Sequence, residues 1–292
     1  DLFFSYYIIF FMIIWLASYP KSGNTWIRSI IASLLYTDKG LFNFQILDNI
    51  PQFPDNKYFK NFTSKLEDFN EVKKYWVIAQ DQINLDNKIK FFKTHHINCK
   101  IGEFSFTNKS NTLATIYIVR DPRSLVSSIS NHYSKTNDES KKFLLTPKFL
   151  GGKQSKDNNK KNYIPTLLGT WSEHYKFWTT NNKNLLLIKY EDLISDTEAQ
   201  LEKIVQFLEK FVEIKTNKEK NHNIIKSTSF DQLKNMEKKG LFNEGITNKH
   251  SNEKVDFFRL GPKNKWEDNL EKNIQKELED VFKKEMDELG YL

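Results

Sequence analysis

Four short apolar runs punctuate the chain, at residues 12–17, 89–92, 113–119 and 185–188, and each gives way to polar or charged residues. Unbroken runs of this length, without alternation, are expected of strands covered on both faces. Between them the apolar positions recur with helical spacing. Residues 25–35 carry them at 26, 27, 30, 31, 34 and 35, and residues 198–208 at 201, 204, 205 and 208. Residues 124–132 and 166–178 also read as helices. This alternation predicts an α/β fold: a single domain with a central, mainly parallel sheet flanked by helices. In such sheets ligands sit beyond the carboxyl ends of the strands, where three of the runs deliver their polar residues. Two segments, 135–162 and 239–256, break the pattern and read as surface loops or lids.

Residues 2–17 are almost entirely apolar, but the stretch is shorter than the roughly 20 residues a spanning helix needs. It lacks a basic segment ahead of it and runs directly into a polar motif at Ser18. It therefore reads as neither membrane anchor nor signal sequence. Met12 opens the first run and is expected to be the natural start, so the domain is expected to span residues 12–292, with 1–11 an upstream extension or a fragment boundary.

Composition narrows the function classes. The chain has 292 residues, 28% charged and 39% hydrophobic, with 24 Phe and 12 Tyr, the profile of a globular domain. A formal net charge of +7 points to anionic partners: nucleic acid, a membrane surface or a multiply charged nucleotide. No basic stripe interleaved with aromatics suggests single-stranded nucleic acid binding. Cys99 is the only cysteine, which excludes an intramolecular disulfide and the paired-cysteine spacings of zinc sites. The six histidines show no H-E-x-x-H spacing, and no metal is expected.

Three motifs carry chemistry. The first, Ser18-Tyr19-Pro20-Lys21-Ser22-Gly23-Asn24-Thr25-Trp26, lies between the first strand and an amphipathic helix. Free N–H groups at a helix start, with hydroxyls and a lysine beside them, make a phosphate cradle. The lysine precedes the glycine, so the order differs from G-x-x-x-x-G-K-[ST]. The second, Tyr117 to Ser128, is again strand, turn and helix, with Arg120 as a fork suited to a terminal phosphate. The third is Lys93-Thr94-His95-His96 at the end of a strand, where either imidazole is a candidate base.

Together these motifs resemble the PAPS-dependent sulfotransferases of the cytosolic type, where PAPS is 3'-phosphoadenosine-5'-phosphosulfate. The resemblance implies a fold with the topology of P-loop kinases and a transfer of the sulfuryl group to a hydroxyl or amine. It assigns Lys21, Ser22, Gly23, Asn24 and Thr25 to the 5'-phosphosulfate loop, with Asn24 where the family usually has Thr, and Trp26 to the adenine. It places Arg120 and Ser128 at the 3'-phosphate, His95 as general base and Lys21 as the cation on the leaving oxygen, with Lys93 near the sulfuryl oxygens. Three further segments match: Ile188-Lys189-Tyr190-Glu191-Asp192, with Tyr190 at the adenine; Thr228-Ser229-Phe230, with Thr228 and Phe230 touching the nucleotide; and Arg259-Leu260-Gly261 followed by Trp266. Leu260 stands where the family has Lys, so Arg259 and Gly261 are carried over to the 3'-phosphate lid, which either binds with one fewer cation or uses Lys263 or Lys265 as a substitute. PAP, the desulfated nucleotide, is the implied product.

Two other readings use the same residues: a P-loop phosphotransferase, which would want the Walker lysine order, and a non-catalytic nucleotide binder. The acceptor pocket is expected near 42–53, 135–162 and 239–256, for a small molecule, lipid or sugar. The expected setting is cytoplasmic, without nucleic acid partners or stable membrane insertion.

Overall fold

A computed structural model of the chain describes residues 12–152, 164–242, 244, 246–247 and 254–292; the expected extension 1–11 and parts of both expected loops lie outside them. The elements that position the site are β1 (Ile13–Ser18), α1 (Asn24–Tyr36), α2 (Trp76–Asn84), β2 (Lys90–Thr94), β3 (Thr112–Val119), α3 (Pro122–Tyr133) and α4 (Asn137–Leu145). They continue with α5 (Trp171–Thr179), β4 (Leu185–Lys189), α6 (Tyr190–Ser195), α7 (Thr197–Leu208), α8 (Lys218–Ser227), α9 (Phe230–Lys238), α10 (Lys272–Val281) and α11 (Lys283–Leu289).

The four apolar runs are the four strands of one all-parallel sheet, ordered β2-β1-β3-β4. Alternate side chains of the central strands enter two different cores. Ile13, Trp15, Ala17, Tyr117 and Val119 pack on one face against Leu125 and Ile129 of α3, Trp171 and Trp178 of α5, and Leu278 of α10. Ile14, Leu16, Ile116 and Ile118 pack on the other against Ile27 and Ile30 of α1, Leu201 and Ile204 of α7, and Ile224 of α8. Coverage on both faces explains why β1 and β3 read as unbroken apolar runs.

The chain leaves β1 toward β2 on one side and later leaves β3 toward β4 on the other. The loops after β1 and β3 therefore diverge at the carboxyl edge, and a crevice opens between them.

Three expectations need correction. The helix expected at 166–178 begins only at Trp171, because Thr166–Leu167 pairs antiparallel with Phe149–Leu150. The 135–162 segment is not simply a loop. Thr136 and Glu139 form a reciprocal capping box that starts α4, and Phe143 and Leu144 bury its inner face. Within 239–256, Phe242 is buried and Ile246–Thr247 pairs antiparallel with Lys254–Val255.

Candidate functional site

The turn after β1 has the backbone of an anion cradle. Lys21 (φ 70°) and Gly23 (φ 99°) both take left-handed conformations. Gly23 precedes α1 without any side-chain cap. The N–H groups of Gly23, Asn24 and Thr25 find no acceptor among the described residues, and they open the positive end of the helix dipole. A side chain at Gly23 would meet Tyr190 Cδ2 at 2.6 Å, so only glycine fits.

Asn24 is used differently from the expectation. Its amide nitrogen donates to the Leu16 carbonyl (3.0 Å) and Ser18 Oγ (3.2 Å), so the side chain ties α1 back to β1. Of its donors only the backbone N–H remains for a ligand, while its Oδ1 has no partner among the described residues. Ser22 is fully buried with an unpartnered hydroxyl and does not line the cavity. Trp26 and Tyr190 meet edge to face, 5.9 Å between ring centroids, and both line the cavity.

Arg120, at the end of β3, is 5% exposed. One of its terminal nitrogens donates to the Lys21 carbonyl and to Ser128 Oγ, each at 3.1 Å. Its guanidinium lies 4.1 Å above the Tyr190 ring, and its Nε has no partner among the described residues. The neighbouring Asp121 does not neutralise it. That carboxylate caps α3 and pairs with Arg123, which is further held by Glu279 and the Tyr291 carbonyl. Arg120 is thus an enclosed cation with no ion-pair partner among the described residues.

Lys21 Nζ stands beside it, 3.6 Å over the Phe257 ring and 3.5 Å from His132 Nδ1, with no carboxylate paired to it among the described residues. Burial and the charge of Arg120 pull its pKa down to about 7. A site that suppresses its own lysine charge in this way gains strongly from an anion.

The two histidines of the third motif separate cleanly. His96 is buried, stacked on Phe106 with ring centroids 4.2 Å apart, and belongs to the core. His95 lines the cavity. Its Nδ1 lies 2.8 Å from the Ser18 carbonyl, an acceptor that fixes the hydrogen on Nδ1 and leaves Nε2 as the basic nitrogen. The His95 carbonyl accepts from His174 Nε2 (3.1 Å), and the Tyr117 hydroxyl donates to His174 Nδ1 (2.8 Å). Burial and the nearby Lys93 lower the His95 pKa to about 4, so the imidazole is neutral at physiological pH.

The C-terminal segment closes the cavity. Glu237 accepts from the backbone N–H groups of Phe257 (2.7 Å) and Phe258 (2.9 Å). Gly261, at φ 53°, sits against Phe230, whose ring a Cβ would meet at 2.4 Å. Arg259, Leu260, Gly261 and Phe230 all line the cavity. Three further expected residues do not. Thr228 is fully buried and spends its hydroxyl on the Ile224 carbonyl at 2.7 Å. Lys263 and Lys265 are exposed and off the cavity wall, so neither takes the place of a cation at Leu260. Asn264 instead reaches Ser127 Oγ (2.6 Å) and the Ser124 carbonyl (2.9 Å). Trp266 covers the guanidinium of Arg123 at 3.8 Å.

These groups converge on one cavity of about 590 Å³, large enough for a nucleotide with a second small molecule beside it. Asp48, Pro51, Gln52, Asp55, Lys57, His132 and Tyr133 line it as well. Of the segments expected to line an acceptor pocket, 42–53 and 239–256 contribute, and no described residue of 135–162 does. Arg28, His132 and Glu244 also line it, unmarked by any motif. Helical spacing offers a signal for two of them: His132 follows Ser128 by one turn of α3, and Arg28 follows Asn24 by one turn of α1.

Comparisons with known proteins give the family and the fold. The family model described as sulfotransferase domain matches residues 13–290. Cytosolic sulfotransferase 12 of Arabidopsis thaliana is 25% identical over 279 residues, covering 90% of this chain and 74% of that protein. The 3-alpha-hydroxysteroid sulfotransferase of Cavia porcellus is 28% identical over 225 residues, covering 75% of this chain and 65% of that protein. Among solved structures, mouse sulfotransferase SULT7A1 complexed with PAP superposes with a TM-score of 0.54 at 20% identity, covering 94% of this chain and 84% of that one.

Proposed function

The chain belongs to the sulfotransferase family, and from that premise we propose that it transfers the sulfuryl group of PAPS to a hydroxyl or amine of a small-molecule acceptor. The observation that carries this reading is the pair Lys21 and Arg120, two enclosed cations that share the carboxyl edge of the sheet without an ion-pair partner among the described residues. Enclosed charges are normally paired, and an unpaired couple beside uncapped helix N–H groups calls for a multiply charged anion. The PAP in the mouse relative's structure is an anion of that kind.

In this reading the α1 N–H groups and Lys21 hold the 5' end of the nucleotide. Arg120 and Ser128, already hydrogen-bonded to each other, hold the 3'-phosphate, with Arg259 over it and Trp26 and Tyr190 framing the adenine. Ser22 and Thr228 support the site from behind the cavity wall, since neither lines it and the N–H of each is given to a backbone carbonyl, that of Tyr19 and that of Ile224.

His95 Nε2 takes the proton of the acceptor hydroxyl as its oxygen forms the new O–S bond. The bond from sulfur to the bridging phosphate oxygen breaks, and its electron pair leaves with PAP. Lys21 and the α1 dipole stabilise the charge that develops on that oxygen. The protein thus supplies positioning and electrostatics more than covalent chemistry.

The acceptor end of the cavity mixes Tyr133 and Phe257 with Asp48, Asp55 and Lys57, which suits a ring-bearing molecule with polar substituents. The steroid named for the guinea-pig relative is one such molecule. Among the described residues no helix is long and apolar enough to cross a membrane.

The test is incubation with radiolabelled PAPS and a panel of phenols, steroid alcohols and amines. Labelled product from at least one acceptor is expected, and His95→Asn should abolish it while leaving PAP affinity intact. Full transfer by His95→Asn would remove the base assignment, and label appearing on no acceptor would count against the activity.

A further inference from the structure

The cavity wall contains one charged cluster that the nucleotide does not account for. Arg28 projects from α1 with a side chain only 4% exposed, and its Nε has no partner among the described residues. One terminal nitrogen pairs with Glu244 Oε1 at 2.5 Å, and the other donates to the Leu47 carbonyl at 2.8 Å. The second oxygen of Glu244 accepts from Lys93 Nζ at 2.9 Å. A single carboxylate, one third exposed, therefore bridges a buried arginine to a lysine two residues from His95.

We propose that Glu244, clamped by Arg28, is a positioning residue that fixes where the Lys93 ammonium stands beside the transferred sulfuryl group. The proposal rests on the sulfotransferase reading of the same cavity.

The chemistry follows from what lysine is. Its ammonium is a compact charge on a flexible four-carbon stem, and left alone in a cavity that also holds Arg28 and Lys21 it would swing away or lose its proton. Burial does pull the Lys93 pKa down, and Glu244 is the largest influence pushing it back up. The two cations in turn hold Glu244 ionised, with its pKa lowered to about 2. An ammonium has three donors and Glu244 takes one, which leaves two for sulfuryl oxygens. Arg28 sets the position of the carboxylate through a planar fork anchored at its other end on the backbone of Leu47.

The sulfuryl group is what distinguishes PAPS from PAP, so the ratio of their affinities reports on the groups that touch it, Lys93 among them. Calorimetry on the full chain compares wild type with Glu244→Gln and Glu244→Ala. Both substitutions should lower the PAPS-to-PAP affinity ratio by about fivefold or more, while PAP affinity itself changes less than about twofold. Formate added to Glu244→Ala should restore the ratio by occupying the vacated carboxylate position, and should do nothing for Glu244→Gln, whose amide fills it. Glu244→Gln keeps the shape of the side chain and carries the test if the alanine variant fails to fold. An unchanged ratio in the folded variants, or a lowered ratio that formate leaves unrestored, overturns the proposal. Failure of the wild type to bind either nucleotide is a different result, which removes the sulfotransferase reading itself.

Discussion

Lys21 and His95 sit a short distance apart in one cavity, and their environments push both toward the neutral form. His95, at about 4, is neutral across the physiological range and gains a proton only as pH falls through that value. Lys21, at about 7, is charged below that value and loses its proton as pH rises through it. For the free enzyme, kcat/KM for PAPS should therefore trace a bell whose acid limb lies well below 6.5 and whose alkaline limb begins near 7. Bound phosphates and sulfate favour the charged forms, so in kcat both limbs should move to higher pH. An initial-rate series across buffers of constant ionic strength checks this. An acid limb at or above 6.5 in kcat/KM would mean that the His95 environment is wrongly described. The same residues show how far the sequence carries. It marks Lys21, Arg120 and His95 by type and position, and of the adjacent His95 and His96 the family register picks His95, the one of the two that lines the cavity. The donors of Asn24 are spent on Leu16 and Ser18, a contact no motif predicts.

The decisive element is the turn from β1 into α1. Its conformation depends on Gly23, where a positive φ and the Tyr190 ring together exclude a side chain. Gly23→Ala should destabilise the fold by about 1–3 kcal/mol in denaturant titration and weaken PAP binding, because the strain falls on the N–H groups that face the ligand. Wild-type PAP affinity in this variant would show that the cradle tolerates distortion. The strands were legible because burial on both faces leaves unbroken apolar runs, and α1 and α7 because their apolar stripes keep helical period. The α4 helix was obscured because Asn, Asp, Ser and Lys dilute its stripe, although Thr136-x-x-Glu139 is a start signal visible in the sequence. Thr170-x-x-Glu173 likewise marks where α5 begins. Glu244 had no local signal, since its partners Arg28 and Lys93 are distant along the chain.

At the scale of the molecule, the strand order β2-β1-β3-β4 brings the site together. It sends the loops after β1 and β3 apart, so that Lys21 and Arg120, 99 residues from each other in sequence, meet at the crevice. Two cores hold the sheet from either face, and α10, through Glu279, and the residues after α11, through the Tyr291 carbonyl, hold Arg123 at the start of α3. The central claim is that this crevice is a PAP-shaped anion site. Calorimetric titration with PAP tests it most directly, on wild type, Lys21→Ala and Arg120→Ala, with ATP as the control ligand. Tight PAP binding is expected, with a loss on the order of tenfold to a hundredfold in each variant and weaker binding of ATP. A folded wild type that fails to bind PAP, or that prefers ATP, would contradict the account.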